Sequence, residues 1–348
     1  MPVAVPARAQ IRHLPLNPLK ATTMFIVCGE ALFDIFATGG TATGLLFDGR
    51  IGGSPFNVAL GLARLGQPVG FFGGIGTGFA GERLMQALAD EGIDAGAVAR
   101  MDAPTTLSLV GVGANGVPSY AFYGHGGADR QLRPEHLAAL PASARAFHFG
   151  SYAMVVQPVG ATQRALVERE HRRSVISYDP NVRANVEPDL AIWRDTLDWM
   201  LPRTHLLKVS DEDLALLYPG LDMAAFAANA LAAGTALVVV TRGGDGAVGF
   251  TAGNTVQMAP VPVAVVDTVG AGDTFQAALL TWLAETGRLT PDAIRALAPD
   301  ALAEALGFAA RAAAITCGRR GADLPRRGEL APSSSGAPGD TCKAEATG

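Results

Sequence analysis

The sequence predicts an α/β fold: a three-layer α/β/α body with a mostly parallel sheet, carrying a small β-sheet lid. Two observations predict it. Short apolar runs alternate with amphipathic helical stretches from residue 146 to residue 315, the rhythm of a parallel sheet covered on both faces. Two β-rich pieces nearer the N-terminus break that rhythm, as a small inserted sheet would.

Phe25–Cys28 reads as a buried strand whose pattern runs on through residues 31–36. Residues 38–48, rich in Gly and Thr, read as a loop or small hairpin. After Gly52-Gly53 comes a helical stripe of Phe56, Val58, Ala59, Leu62, Ala63 and Leu65, stopped by Gly66. Residues 68–75 form the next strand and 81–91 a helix. Residues 105–113 and 117–123 are β-like, and Asn115-Gly116 between them is a strong hairpin signal. Strands follow at 146–149, 175–179, 205–209 and 236–241, separated by helices at 162–172, 190–200, 211–217 and 223–233. A hairpin pairs 247–251 with 255–258, and 261–266 reads as a further strand. Two long helices, 273–285 and 301–315, end the domain. No solenoid-type repeat is present.

A chain of 348 residues, 49% hydrophobic and 17% charged, is long enough for one large domain or two medium ones with a sizeable core. The net charge of -5 implies no basic face, so nucleic acid is not expected as a partner. Cys28, Cys317 and Cys342 are few, far apart and odd in number, which points to a reducing compartment and away from a cysteine metal site. No apolar run reaches the length of a membrane span. Residues 1–23 lack the apolar core of a secretory signal and read as a poorly ordered extension, with Met24 as an alternative start. Residues 328–348, rich in Ser, Pro, Gly and Ala, read as a disordered tail.

The chemistry-bearing stretch is Asp267-Thr268-Val269-Gly270-Ala271-Gly272-Asp273-Thr274-Phe275. Its glycines let backbone approach a ligand closely. A helix starting there points unpaired N–H groups into the loop, an anion hole. Asp273 sets a carboxylate beside it. Donors for negative charge and a base for a proton are what phosphoryl transfer to a hydroxyl needs. The competing reading is a well-capped helix. Gly52-Gly53-Ser54-Pro55-Phe56-Asn57 opens another helix, either as a ligand turn with Asn57 or as a cap by Ser54 with Pro55 in the first turn. Asp34 follows the first strand, where ligands gather or where a turn residue sits. No P-loop is present. GxGxxG occurs at Gly76, Gly78 and Gly81, in a strand–helix context that leaves a dinucleotide reading open, and at Gly111, Gly113 and Gly116, a turn.

GGSPFNVALGLARLG, followed by GFFGGIG, resembles the N-terminal signature of the ribokinase-like (PfkB-type) sugar kinases, and DTVGAGDTFQAALL resembles their C-terminal signature. The pair occurs in the expected order, and the resemblance covers residues 24–327, with the lid drawn from about 36–53 and 105–125. GEALFDIF, YDPNVR and LLKVSDEDL are similar to the fructokinase branch. The resemblance implies that Asp273 is the catalytic base and that Gly270, Ala271 and Gly272 hold the transferring phosphoryl group. It places sugar at Asp34, Gly53, Asn57 and Arg183. It places ATP at Lys208, Thr241, Gly243, Gly246, Gly270 and Gly272, with the adenine pocket along 312–321. Mg²⁺ is implied near Glu212 and Asp213, and a monovalent cation such as K⁺ at Asp267.

Three positions depart from the family pattern. The NxxE element reads Ser210-Asp211-Glu212-Asp213, Gly124 stands where acid-sugar kinases carry a lid Arg, and Ala310 replaces a His or Asn near adenine. The function so implied is ATP-dependent phosphorylation of fructose to fructose 6-phosphate; the cysteine usage places it in the cytoplasm, and the exposed edges of a small lid sheet predict a homodimer joined through the lids. The alternatives are a 2-keto-3-deoxygluconate kinase, ribokinase or nucleoside kinase, an inactive sugar-binding regulator, and a dinucleotide-dependent oxidoreductase using Gly76 to Gly81.

Overall fold

The computed structural model describes residues 25–112 and 118–330 of the chain. The expected extension at 1–23, the Asn115-Gly116 turn and most of the expected tail lie outside them. The body is built on an eight-stranded sheet. Its N-terminal half holds β1 (Phe25–Cys28), then a lid hairpin, β2 (Leu32–Gly40) and β3 (Leu45–Gly52), then α1 (Ser54–Arg64) and β4 (Val69–Phe72). Next come β5 (Gly74–Gly76), α2 (Phe79–Asp90), β6 (Ala99–Met101) and the second lid hairpin, β7 (Leu107–Val112) and β8 (Pro118–Tyr123). The regular half runs through β9 (Ala146–Gly150), α3 (Val159–Glu170), β10 (Val175–Asp179), α4 (Leu190–Met200) and β11 (Leu206–Ser210). It continues with α5 (Asp211–Leu217), α6 (Met223–Ala233), β12 (Leu237–Thr241), β13 (Ala247–Phe250) and β14 (Thr255–Met258), and closes with α7 (Ala271–Glu285), α8 (Pro291–Arg295) and α9 (Pro299–Cys317).

The sheet order is β14-β13-β12-β11-β10-β9-β1-β4, parallel from β4 to β12 and antiparallel beyond it. Alternate residues of each central strand feed opposite cores, as a pleated strand requires. Val27, Val69, Leu206 and Val239 pack with α1, α2, α7 and α9, whereas Ile26, Phe149, Leu207 and Val240 pack with α3, α4, α5 and α6. Both faces are therefore buried, which is why these strands read as continuous apolar runs. The lid is a separate four-stranded sheet, β3-β2-β7-β8. β2 and β7 lie parallel in its middle, and a hairpin partner flanks each.

Four details differ from the sequence expectation. Residues 261–266 form no strand. Pro260 and Pro262 remove ladder donors there, Val265 and Val266 stand 63% exposed, and the N–H groups of Val266 and Asp267 both reach the Cys317 carbonyl. The strand expected over 68–75 breaks at Gly73, and its second half pairs with β6 in a small sheet of its own. α7 starts at Ala271, two residues before the expected start, because Gly270 at φ 77° turns the chain into the helix. The structured body also runs past 327: residues 327–330 make a 3-10 turn that buries Leu330.

Candidate active site

The N-terminal turns of α1 and α7 meet across the body, and between them sits Asp273. It is 8% exposed. Ser54 Oγ donates to its Oδ1 at 2.6 Å and Asn57 Nδ2 to its Oδ2 at 2.8 Å. Burial pushes the Asp273 pKa up, the Ser54 and Asn57 hydrogen bonds pull against that, and Asp179 and Lys208 add opposing charges. The expected cap by Ser54 is absent: Gly53, at φ 104°, is the N-cap residue of α1, with no side-chain cap. The Asn57 Oδ1 atom is buried without a partner among the described residues.

The elbow before α7 lies open. Residues 268 and 269 are exposed and 270–272 partly so. Gly270 is required twice over: its φ is left-handed, and a Cβ there would stand 2.7 Å from Ala322 Cβ. The Ala271 N–H is taken by the Thr268 carbonyl at 3.2 Å and the Val269 N–H by Asp267 Oδ1. Among the described residues the N–H groups of Gly270, Gly272 and Asp273 have no such acceptor. Three N–H groups of the expected anion hole are thus unbonded, whereas that of Ala271, also expected there, is held by Thr268. A Cβ on Gly272 would come 3.3 Å from Lys208 Nζ, so the ammonium stands directly behind the turn.

Lys208, on β11, is 4% exposed and its Nζ lies 2.6 Å from Asp179 Oδ2 at the end of β10. Asp179 Oδ1 is buried and unpartnered among the described residues. Asp213, in the first turn of α5, is pushed up to about 6 by burial and then by Asp179. Its Oδ1 accepts from the Val182 N–H at 3.2 Å. Glu212 lies on the exposed face of the same turn, so Asp213, not Glu212, faces Asp179. Thr241 is paired in register with Ser210, and the following turn passes through Gly243 at φ 48° and Gly246 at φ 85°. Thr241 thus ends the strand next to the one that carries Lys208.

The lid supplies Asp34 on β2. Its pKa is raised by burial, offset by the Ser108 hydroxyl and Arg183, and raised further by Asp273. A Cβ on Gly52 would strike Asp34 Oδ2 at 2.2 Å, and one on Gly53 would meet the Glu30 carbonyl at 2.7 Å. Arg183 is exposed, and its guanidinium also donates to the Val182 carbonyl at 3.0 Å. Asp267 stands apart from this group: its oxygens accept from Val269 N–H at 3.1 Å and Gly321 N–H at 2.8 Å, tying the elbow to the C-terminal segment.

Sequence reasoning missed three members of this group. In the sequence Ser54 looks like a cap, Asp179 stands out only within YDPNVR, and Ser108 carries no signal. The Gly76–Gly81 motif is explained by packing. A Cβ on Gly81 would lie 1.8 Å from the Gly76 carbonyl oxygen, and β5 is outside the main sheet, away from any dinucleotide crevice.

A model of the pfkB family of carbohydrate kinases matches residues 26–327. The chain belongs to that family. A fructokinase of Rhizobium leguminosarum bv. trifolii is 38% identical over 279 residues, 80% of this chain and 85% of the relative. One from Klebsiella pneumoniae is 35% identical over 297 residues, 82% and 92%. Among solved structures, fructokinase with bound ATP from Xylella fastidiosa superposes with a TM-score of 0.79 at 26% identity, covering 89% of this chain and 97% of that one. Aminoimidazole riboside kinase from Salmonella enterica, complexed with its riboside and an ATP analog, gives 0.74 at 25%, covering 88% and 98%. The body and lid are those of the ribokinase-like fold, and the chain is a carbohydrate kinase. In this kinase the two signature segments, separated by most of the chain, converge on one carboxylate. No helix among the described residues is long and apolar enough to cross a membrane.

Proposed function

We propose that this kinase transfers the γ-phosphoryl group of ATP to the primary hydroxyl of fructose, giving fructose 6-phosphate. One observation carries the reading: Asp273 is buried and held between Ser54 and Asn57, with unbonded N–H groups and Lys208 beside it. Fructose is favoured by the fructokinases at 38% and 35% identity, and ATP by the fructokinase solved with ATP bound.

Sugar lies between lid and body, read by Asp34, the Gly53 backbone, the free Oδ1 of Asn57 and Arg183. Asp273 takes the proton as the hydroxyl attacks. The N–H groups of Gly270, Gly272 and Asp273, with Lys208, take up charge on the phosphoryl oxygens. Preorganised donors of this kind are worth about 3–4 kcal/mol each in a transition state. Thr241, Gly243 and Gly246 flank the nucleotide. Lid closure excludes water and limits ATP hydrolysis.

Mg²⁺ fits the residues present. A hard cation takes oxygen ligands, and Asp179 Oδ1 is a buried acceptor with no partner, with Asp213 beside it. Asp179 and Asp213 would hold the ion, with Glu212 at the rim. No group of three or more His, Cys, Asp or Glu could hold a metal among the described residues, so the remaining ligands would be phosphate and water. Bound there, the ion would neutralise phosphate charge. K⁺ at Asp267 would meet a carboxylate whose two oxygens each accept one N–H group and keep lone pairs for a cation. The ATP requirement and two free cysteines, Cys28 and Cys317, support a cytoplasmic setting. Two copies pair through exposed lid faces.

A coupled ADP-release assay across fructose, ribose, tagatose, 2-keto-3-deoxygluconate and adenosine tests the substrate. Highest kcat/KM with fructose is expected; a different preferred sugar overturns fructose alone, and no turnover with any of them favours a regulator. Asp273→Asn is expected to lower kcat by roughly 10²–10⁴ with sugar KM kept.

A further inference from the structure

Ser54 opens α1 yet caps nothing. Its hydroxyl donates to Asp273 Oδ1 at 2.6 Å, while Asn57 Nδ2 donates to Oδ2 at 2.8 Å. One helical turn therefore holds both oxygens of the carboxylate. The two donors differ in what they can do next. An amide NH₂ only donates, whereas a hydroxyl donates or accepts and rotates about its C–O bond. Once Asp273 gains a proton, the new O–H needs an acceptor. Asn57 Nδ2 cannot be one, and Ser54 Oγ can.

We propose that Ser54 is a positioning residue for the phosphoryl transfer: its hydroxyl donates to Asp273 Oδ1 before the reaction and accepts from the protonated Oδ1 after it. Oδ1 is then the oxygen that takes the proton. This rests on Asp273 being the base. In the step itself the sugar O–H breaks and its proton goes to Oδ1. The sugar oxygen forms the new O–P bond. The old P–O bond breaks with its electron pair on the leaving ADP oxygen, and Asp273 later returns the proton to solvent.

The charged groups facing Asp273 are Asp179 from β10, Lys208 from β11 and Asp34 from lid strand β2. None depends on Ser54, so they form a constant background when that residue is changed. Losing the Ser54 donor removes a pull that lowers the Asp273 pKa, and burial then raises it further. A base that holds its proton more tightly fails at a higher pH, so the acid limb of the rate profile must move upward.

The experiment compares the full chain with Ser54→Ala, Ser54→Thr and Asp273→Asn, measuring kcat, sugar KM and the pH profile of kcat. Alanine suits a helix start and no side-chain cap is lost; a thermal melt checks that the variants are folded. For Ser54→Ala, kcat falls roughly tenfold, sugar KM stays within about twofold, and the acid limb rises by about one pH unit. Ser54→Thr, which keeps the hydroxyl, restores both. An unchanged kcat and acid limb in Ser54→Ala, beside an inactive Asp273→Asn, discards the role of Ser54 alone. Near-parental turnover in Asp273→Asn removes the base and this inference with it.

Discussion

Glu30 shows what burial does to a single side chain here. It is 1% exposed, and its Oε2 has no hydrogen-bond partner among the described residues. Burial lifts its pKa from 4.5 to about 8; Ser151 and Arg183 oppose the rise and Asp129 adds to it. The native state therefore keeps a proton that the unfolded chain gives up. Its stabilising contribution is complete below pH 4.5 and is lost as pH rises toward about 8. Glu30→Gln removes that loss. The melting temperature of the variant, relative to the parent, should climb across this window, reflecting a few kcal/mol at its upper end. Parallel melting curves measured by scanning calorimetry would show that Glu30 ionises freely in the fold. Residues such as Glu30 and Ser54 were illegible as chemistry in the sequence. Ser54 and its acceptor are 219 positions apart, and no local pattern reports a partner at that distance. Asp273 was legible because its glycines and its helix are adjacent in the chain.

At the scale of elements, the active-site geometry depends on how closely α1 approaches α7. Gly61 makes that approach possible. A Cβ on it would lie 2.6 Å from Ala277 Cβ and 2.7 Å from Leu324 Cδ2. Gly61→Val should force the helices apart, costing about 1–3 kcal/mol of stability. It should also pull Ser54 and Asn57 from Asp273, lowering kcat in the fraction that folds. Denaturant melts and single-turnover rates measure the two effects separately; a stable variant with normal kcat would show that the helix contact does not set the base. Most elements were readable because the buried strands and the amphipathic helices carry their periods in sequence. α4, α5 and α6 match their expected limits. Residues 261–266 misled because an apolar run resembles a buried strand until its prolines are counted, and Gly73 split a strand that hydrophobicity alone joined.

The whole molecule is an α/β body with a lid whose strand β3 carries exposed apolar side chains on both of its faces. Leu45, Leu46 and Phe47 of β3 are 68%, 56% and 48% exposed, and Tyr123 at the end of β8 is 61% exposed. A small sheet with open edges and such a face is a template for pairing unless it is covered. In the proposed dimer a second copy would cover it symmetrically, since a two-fold contact joins the same patch on both partners. The lid also meets the body through Arg50, opposite Asp34 in the register, whose guanidinium contacts the Arg320 carbonyl at 3.3 Å. Pairing would thus hold the strand that carries Asp34 against the rim of the site. The double variant Leu45→Glu with Phe47→Glu places like charges on the one face of β3 that these two residues share, opposite the face of Asp34. Sedimentation at micromolar concentration should find a dimer for the parent and a monomer for the variant, with sugar KM raised because the lid strand is less ordered. A parent that sediments as a monomer would leave the lid to close on its own, and the apolar face would need another explanation.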